Sequence, residues 1–136
     1  MSPEEVEAFR ASLQRCLMRP GFLDAFYKAF IASSAEVREK FKNTDFKRQN
    51  LALADSLYVL ANAAVSEEGS VGRGSLPHVA ARHSRKDRDI GPGLYDLWKD
   101  AILATVRVYD PAFTPAIEEA WRATIGWGIE YMRSRY

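Results

Sequence analysis

The sequence predicts an all-α protein of six or seven helices joined by short loops, on three observations. Capping and stop signals punctuate most of the chain. Apolar residues between them return every three or four positions. No stretch shows the sustained period-two alternation that a half-buried strand requires. With 136 residues the chain has room for one domain with one substantial core, expected to run from residue 1 to 136.

The elements follow in order. Ser2-Pro3-Glu4-Glu5 combines a capping box with proline at the first helical position. Val6, Phe9, Leu13, Cys16 and Leu17 then keep helical spacing until Pro20-Gly21 breaks the run. A second helix is expected over about Phe22 to Ala32, with Phe22, Phe26, Tyr27 and Phe30. Ser33-Ser34-Ala35-Glu36 reads as another capping box, opening a short helix that ends near Phe41. Asn43, Thr44 and Asp45 are three successive candidate N-caps for a long helix marked by Phe46, Gln49, Leu53, Leu57 and Leu60.

Glu67 to Ser75 is rich in Gly and Ser and reads as a loop within the domain. Ser75-Leu76-Pro77 starts a short helix that carries His83. Gly91-Pro92 opens the next, with Leu94, Trp98, Ile102, Thr105 and Tyr109 inward, and Asp110-Pro111 closes it. Thr114-Pro115 starts the last helix, with Ile117, Trp121, Ile125 and Ile129.

Composition removes several classes of function. A formal charge of +1 offers no electrostatic case for nucleic acid or an anionic membrane. The basic run Arg82, Arg85, Lys86, Arg88 is interrupted by Asp87 and Asp89 and reads as a solvated turn. The single cysteine, Cys16, cannot form an internal disulfide and sits beside Leu13 and Leu17, so a buried thiol in a reducing compartment is expected. The N-terminus MSPEEVEAF is acidic and lacks a signal-like apolar core, and no apolar run is long enough to span a membrane. A cytoplasmic location is the expectation.

Familiar catalytic patterns are absent: there is no GxSxG, GxxxxGKS, HExxH or CxxC. Glu4-Glu5, Glu67-Glu68 and Glu118-Glu119 fall at helix starts or in a loop, where carboxylates favour the helix dipole or face solvent. Attention therefore goes to the two histidines. His78 and His83 are five positions apart, roughly 140° of helical rotation, so they cannot readily grip one ion together. A single ligand suits haem, whose porphyrin supplies four other donors, and His83 stands at a helix end before a charged turn. His78, beside Pro77, reads as a surface residue.

Tyr27 and Gln49 each lie among the apolar positions of their helices. A buried hydroxyl or amide without a partner costs about 1–3 kcal/mol, and a bound diatomic ligand would satisfy both. Phe22, Phe26, Phe30, Phe41, Phe46 and Trp98 supply many aromatic rings for a short chain, each readable as plain core.

The ordered set Tyr27, Phe41, Gln49, His83 and Tyr95 resembles the globin family, in particular the bacterial haemoglobins and the globin domain of flavohaemoglobins. FYKAFIASSAEVREKF resembles their second helix and corner, LPHVAARH their proximal helix, IGPGLYDLW the start of the following helix, and EEAW part of the last. The likeness covers nearly the whole chain. It implies a globin fold around haem b, with His83 as the proximal iron ligand, Tyr27 as the distal hydroxyl donor to oxygen and Gln49 as the distal amide. Phe41 would pack on the haem face, Leu53 over the distal side, and Leu94, Tyr95 and Trp98 along the proximal edge. Phe46, Val79, Arg82 and Ile90 complete the implied haem contacts. The spacing between Phe41 and Gln49 is two residues shorter than in those proteins, so Asn50 is an alternative distal amide. Two further residues stand between His83 and Tyr95.

The resemblance also has a departure. The flavohaemoglobin pattern places a glutamate late in the last helix, and the equivalent position here falls at about Tyr136, with no acidic residue after Glu130. The implied function is reversible binding of oxygen, or of nitric oxide or carbon monoxide, by a monomer or homodimer. Nitric oxide dioxygenation with an external reductase, or haem-based gas sensing, are the alternatives, and a helical domain without haem is the bland one.

Overall fold

A computed structural model of the protein describes residues 2–65 and 93–134, and among them are six α-helices and no strand. We number them α1 (Pro3–Leu17), α2 (Phe22–Ala32), α3 (Ala35–Phe41), α4 (Phe46–Val65), α5 (Leu94–Tyr109) and α6 (Pro115–Ser134). The expected loop at Glu67 to Ser75 and the short helix carrying His83 lie outside the described residues.

The helices start where side chains can satisfy the first backbone N–H groups. The Ser2 hydroxyl accepts from the Glu5 N–H at 3.1 Å while the Glu5 carboxylate accepts from the Ser2 N–H at 2.9 Å, the reciprocal pair expected there. Gly21 joins α1 to α2 with φ of +88°, a left-handed conformation that side chains resist. At α3 the expected capping box is not formed. Ser34 is the cap, accepting from the N–H groups of Glu36 and Val37, while the Ser33 hydroxyl turns back to the Phe30 carbonyl at 2.5 Å and closes α2. Of the three candidates before α4, Asp45 accepts from the N–H groups of Lys47 and Arg48.

Packing follows the apolar faces. α1 lies against α6 and α4, α2 against α5 and α3, and α6 also meets α4 and α5, whereas α2 and α4 touch over a short crossing. Phe9, Leu13, Phe22, Phe26, Leu57, Ile102, Trp121 and Ile125 are fully buried in one continuous core, each stabilising the fold by about 1.5–3 kcal/mol through removal of apolar surface from water. Cys16 is buried in the same core, and burial pushes its thiol up to about 12, so it stays neutral.

A buried polar cluster ties the first helix to the last two. Asp110, at the end of α5, accepts from the Ser12 hydroxyl at 2.6 Å, from Arg15 at 2.7 and 2.9 Å, and from the Ala112 N–H at 2.8 Å. The Trp121 indole donates to the Ser12 hydroxyl at 2.8 Å. Burial alone would raise the Asp110 pKa, but the hydrogen bonds from Arg15, Ser12 and Ala112 outweigh it and hold the carboxyl below its ordinary value.

Two glycines of α6 give opposite expectations. A methyl group at Gly128 would sit 2.6 Å from Leu60 Cδ1, and both residues are buried, so α4 and α6 rely on that notch. One at Gly126 meets nothing within 4 Å. Gly126→Ala is expected to stabilise by up to about 1 kcal/mol through helix propensity. Gly128→Ala gains the same term but loses about 1–3 kcal/mol to overpacking, for a net loss near 1 kcal/mol. Thermal unfolding should shift in opposite directions, and stabilisation by both would show that Leu60 yields freely. Among the described residues no helix is long and apolar enough to cross a membrane.

Candidate functional site

Successive residues of α2 face different neighbours, because each helical step turns by roughly 100°. Phe26 meets Trp98 of α5 edge-on, with ring centroids 5.8 Å apart. Tyr27 turns instead toward α3 and α4. Its ring lies 5.6 Å from Phe41 and 5.4 Å from Phe46, and those two rings stack on each other at 6.3 Å. Only 4% of Tyr27 is exposed.

The side chain of Gln49, one turn into α4, donates from Nε2 to the Tyr27 hydroxyl oxygen at 3.0 Å. Each of these polar residues is therefore the other's partner, and one N–H of the Gln49 amide is satisfied without a third group. The phenol still has its own hydrogen, and it has no acceptor among the described residues. Burial pushes the Tyr27 pKa up to about 12, only partly offset by the Gln49 hydrogen bond, so the hydroxyl is a neutral donor throughout the physiological range.

Asn50, the next residue, is directed elsewhere: its Nδ2 donates to Asp24 of α2 at 2.8 Å. The geometry thus pairs Gln49, and not Asn50, with Tyr27. Leu53, one turn beyond Gln49, is buried, as are Leu94 and Tyr95 at the start of α5, and all three belong to the same core as Tyr27. Phe41, Phe46 and Trp98 are partly buried against that core. His83, Val79, Arg82 and Ile90 lie outside the described residues, as does His78. Sequence reasoning did not find the Asp24–Asn50 pair or the Ser12–Asp110 cluster. Asp24 had no signal beyond its place in a helical first turn, and Ser12 sits unmarked between apolar neighbours.

The globin family model matches residues 24–128 of the chain. The chain belongs to the globin family. Its architecture agrees: a solved structure of PA3967 from Pseudomonas aeruginosa PAO1, described as structurally highly homologous to a human hemoglobin, superposes with a TM-score of 0.89. That protein is 36% identical, and the match covers 97% of this chain and 98% of that one. Neither description names a flavohaemoglobin, and no curated protein matches.

A globin fold implies haem, and the described half of the site fits one. Among the described residues the site offers a buried neutral hydroxyl whose hydrogen has no acceptor and whose oxygen is fixed by Gln49, within an aromatic wall. Among the described residues no group of three His, Cys, Asp or Glu side chains could hold a metal ion by itself.

Proposed function

We propose that this globin is a single domain over residues 1–136 that holds haem b through His83 and reversibly binds a diatomic gas, oxygen foremost. Haem, when bound, would supply the iron to which the gas binds. The contribution of the chain is its surroundings. Phe41, Phe46, Leu53, Leu94, Tyr95 and Trp98 exclude water, and Tyr27 offers one hydrogen bond. Val79, Arg82 and Ile90 are assigned to the same pocket from the resemblance.

The observation that carries this reading is the Tyr27–Gln49 pair. A tyrosine here that served packing alone would leave its phenol hydrogen unpaired in the core, at a cost of about 1–3 kcal/mol that phenylalanine avoids. Here Gln49 occupies a lone pair of the phenol oxygen and leaves its hydrogen available to a ligand. A gas molecule that gathers partial negative charge is stabilised by such a fixed donor without reorganisation. The reading places the protein in the cytoplasm and needs no second domain for binding.

Titration of the purified protein with haemin, followed by visible spectra with and without dithionite and carbon monoxide, tests it. A sharp absorption band that saturates at one haemin per chain and shifts with carbon monoxide is expected. A protein that takes up no haemin, or a His83→Ala variant that takes it up with an unchanged spectrum, would remove the reading or the ligand assignment respectively.

A further inference from the structure

The crossing of α4 over α2 is held by two side-chain bonds from adjacent residues. Gln49 reaches Tyr27 at 3.0 Å, and Asn50 reaches Asp24, almost one turn earlier on α2, at 2.8 Å. We infer that Asp24 and Asn50 are a positioning pair that holds Gln49 on the Tyr27 hydroxyl and so sets how long a gas ligand is retained; this rests on the reading of Tyr27 above.

The argument is one of rotation. Residues 49 and 50 project about 100° apart on α4. One bond across a helix crossing fixes a distance but leaves the helix free to roll about its axis. A second bond, displaced around that axis and along the partner helix, removes the roll. The other contact at this end of α4 is the Phe46 ring against Tyr27 and Phe41, which is apolar and sets no hydrogen-bond geometry, and the contact between α4 and α2 is short. The far end is anchored independently, by Arg10 donating to Asn62 at 2.9 Å and by Leu60 seated on Gly128.

The Asn50 amide has one possible orientation at Asp24, since a carboxylate only accepts and the Nδ2 group must face it. That leaves the Asn50 Oδ1 atom buried without a donor among the described residues. An amide kept at that cost has its position dictated by the Asp24 bond and not by full satisfaction of its own groups.

The test compares haem-loaded wild type with Asn50→Ala, Asp24→Ala, Asp24→Asn and Tyr27→Phe. Oxygen dissociation is followed by stopped flow, and hydrogen exchange of the Gln49 side-chain amide by NMR. Asp24 is exposed, so its substitution leaves the core intact. Asn50→Ala and Asp24→Ala are expected to raise the off-rate three- to tenfold and to speed Gln49 amide exchange, while Asp24→Asn, which keeps an acceptor, stays within twofold of wild type. If both alanine variants keep the wild-type off-rate and exchange while Tyr27→Phe changes the off-rate, the positioning role is overturned and the gas-binding reading stands. If Tyr27→Phe leaves the off-rate unchanged, that reading fails, and the exchange data alone decide whether the pair holds Gln49. A lowered melting temperature with unchanged exchange would make the pair merely structural.

Discussion

Replacing Tyr27 by Phe is expected to raise the oxygen dissociation rate by about tenfold or more. The substitution keeps the ring against Phe41 and Phe46 and removes only the hydroxyl. A hydrogen bond to an acceptor carrying charge contributes about 1.5–3 kcal/mol, which corresponds to roughly one to two decades in affinity. Most of that should appear in the off-rate, because entry of a small gas does not depend on a bond formed after arrival. The change also strands the Gln49 amide, which loses its acceptor. The wild-type off-rate should be flat between pH 6 and 10, since the phenol titrates only near 12 and remains a donor across that range. Stopped-flow displacement of oxygen by carbon monoxide measures both quantities. An off-rate unchanged by Tyr27→Phe would take the hydroxyl out of ligand retention.

Asp110→Asn should be the most damaging single polar substitution in the described core, at about 3 kcal/mol or roughly 10 °C in Tm. The carboxylate collects four hydrogen bonds, two of them from Arg15, and is only 4% exposed. An amide can accept at only one of its two terminal atoms and leaves the Arg15 charge without its counter-ion. The loss sits at the low end of the range for a broken buried pair because about a third of the Arg15 side chain is open to solvent. The effect depends on acidity in a definite direction. The folded pKa of Asp110 is depressed, so its stabilisation is complete above the unfolded carboxylate value near 4 and fades as pH falls through the folded value. Urea unfolding at pH 7 should separate wild type from variant, and the gap should narrow steadily below about pH 4. A constant gap would mean that the charge of Asp110 is not what stabilises the cluster.

The fold was largely legible because helices announce themselves locally. The Ser2 and Glu5 box, the Pro20-Gly21 break and the Asp110-Pro111 stop are each written within four residues, and the structure places them as expected. The Ser33 box failed for a local reason too: two serines stood side by side, and only their backbone angles decide which one caps. Tyr27 and Gln49 could be marked as polar residues on apolar faces, but not as partners, because their hydrogen bond spans 22 residues and depends on how two helices cross. The same reason hid Asp24. Asp110 was visible only as a helix terminator, although its main partners lie 95 and 98 positions away.

The distance in sequence covered by the Ser12 cluster has a consequence for synthesis. The Trp121 indole that closes it lies 109 residues after Ser12. At about 5–20 residues per second, the first helix waits on the order of 5–20 s before its last polar partner has been made. During that interval α4 can already meet α1, but α6, which packs against it most extensively, is not yet complete. Completion of the α1 docking is therefore a late event in the birth of this chain, and the nascent protein depends on keeping part of an amphipathic helix out of wrong company until α6 emerges.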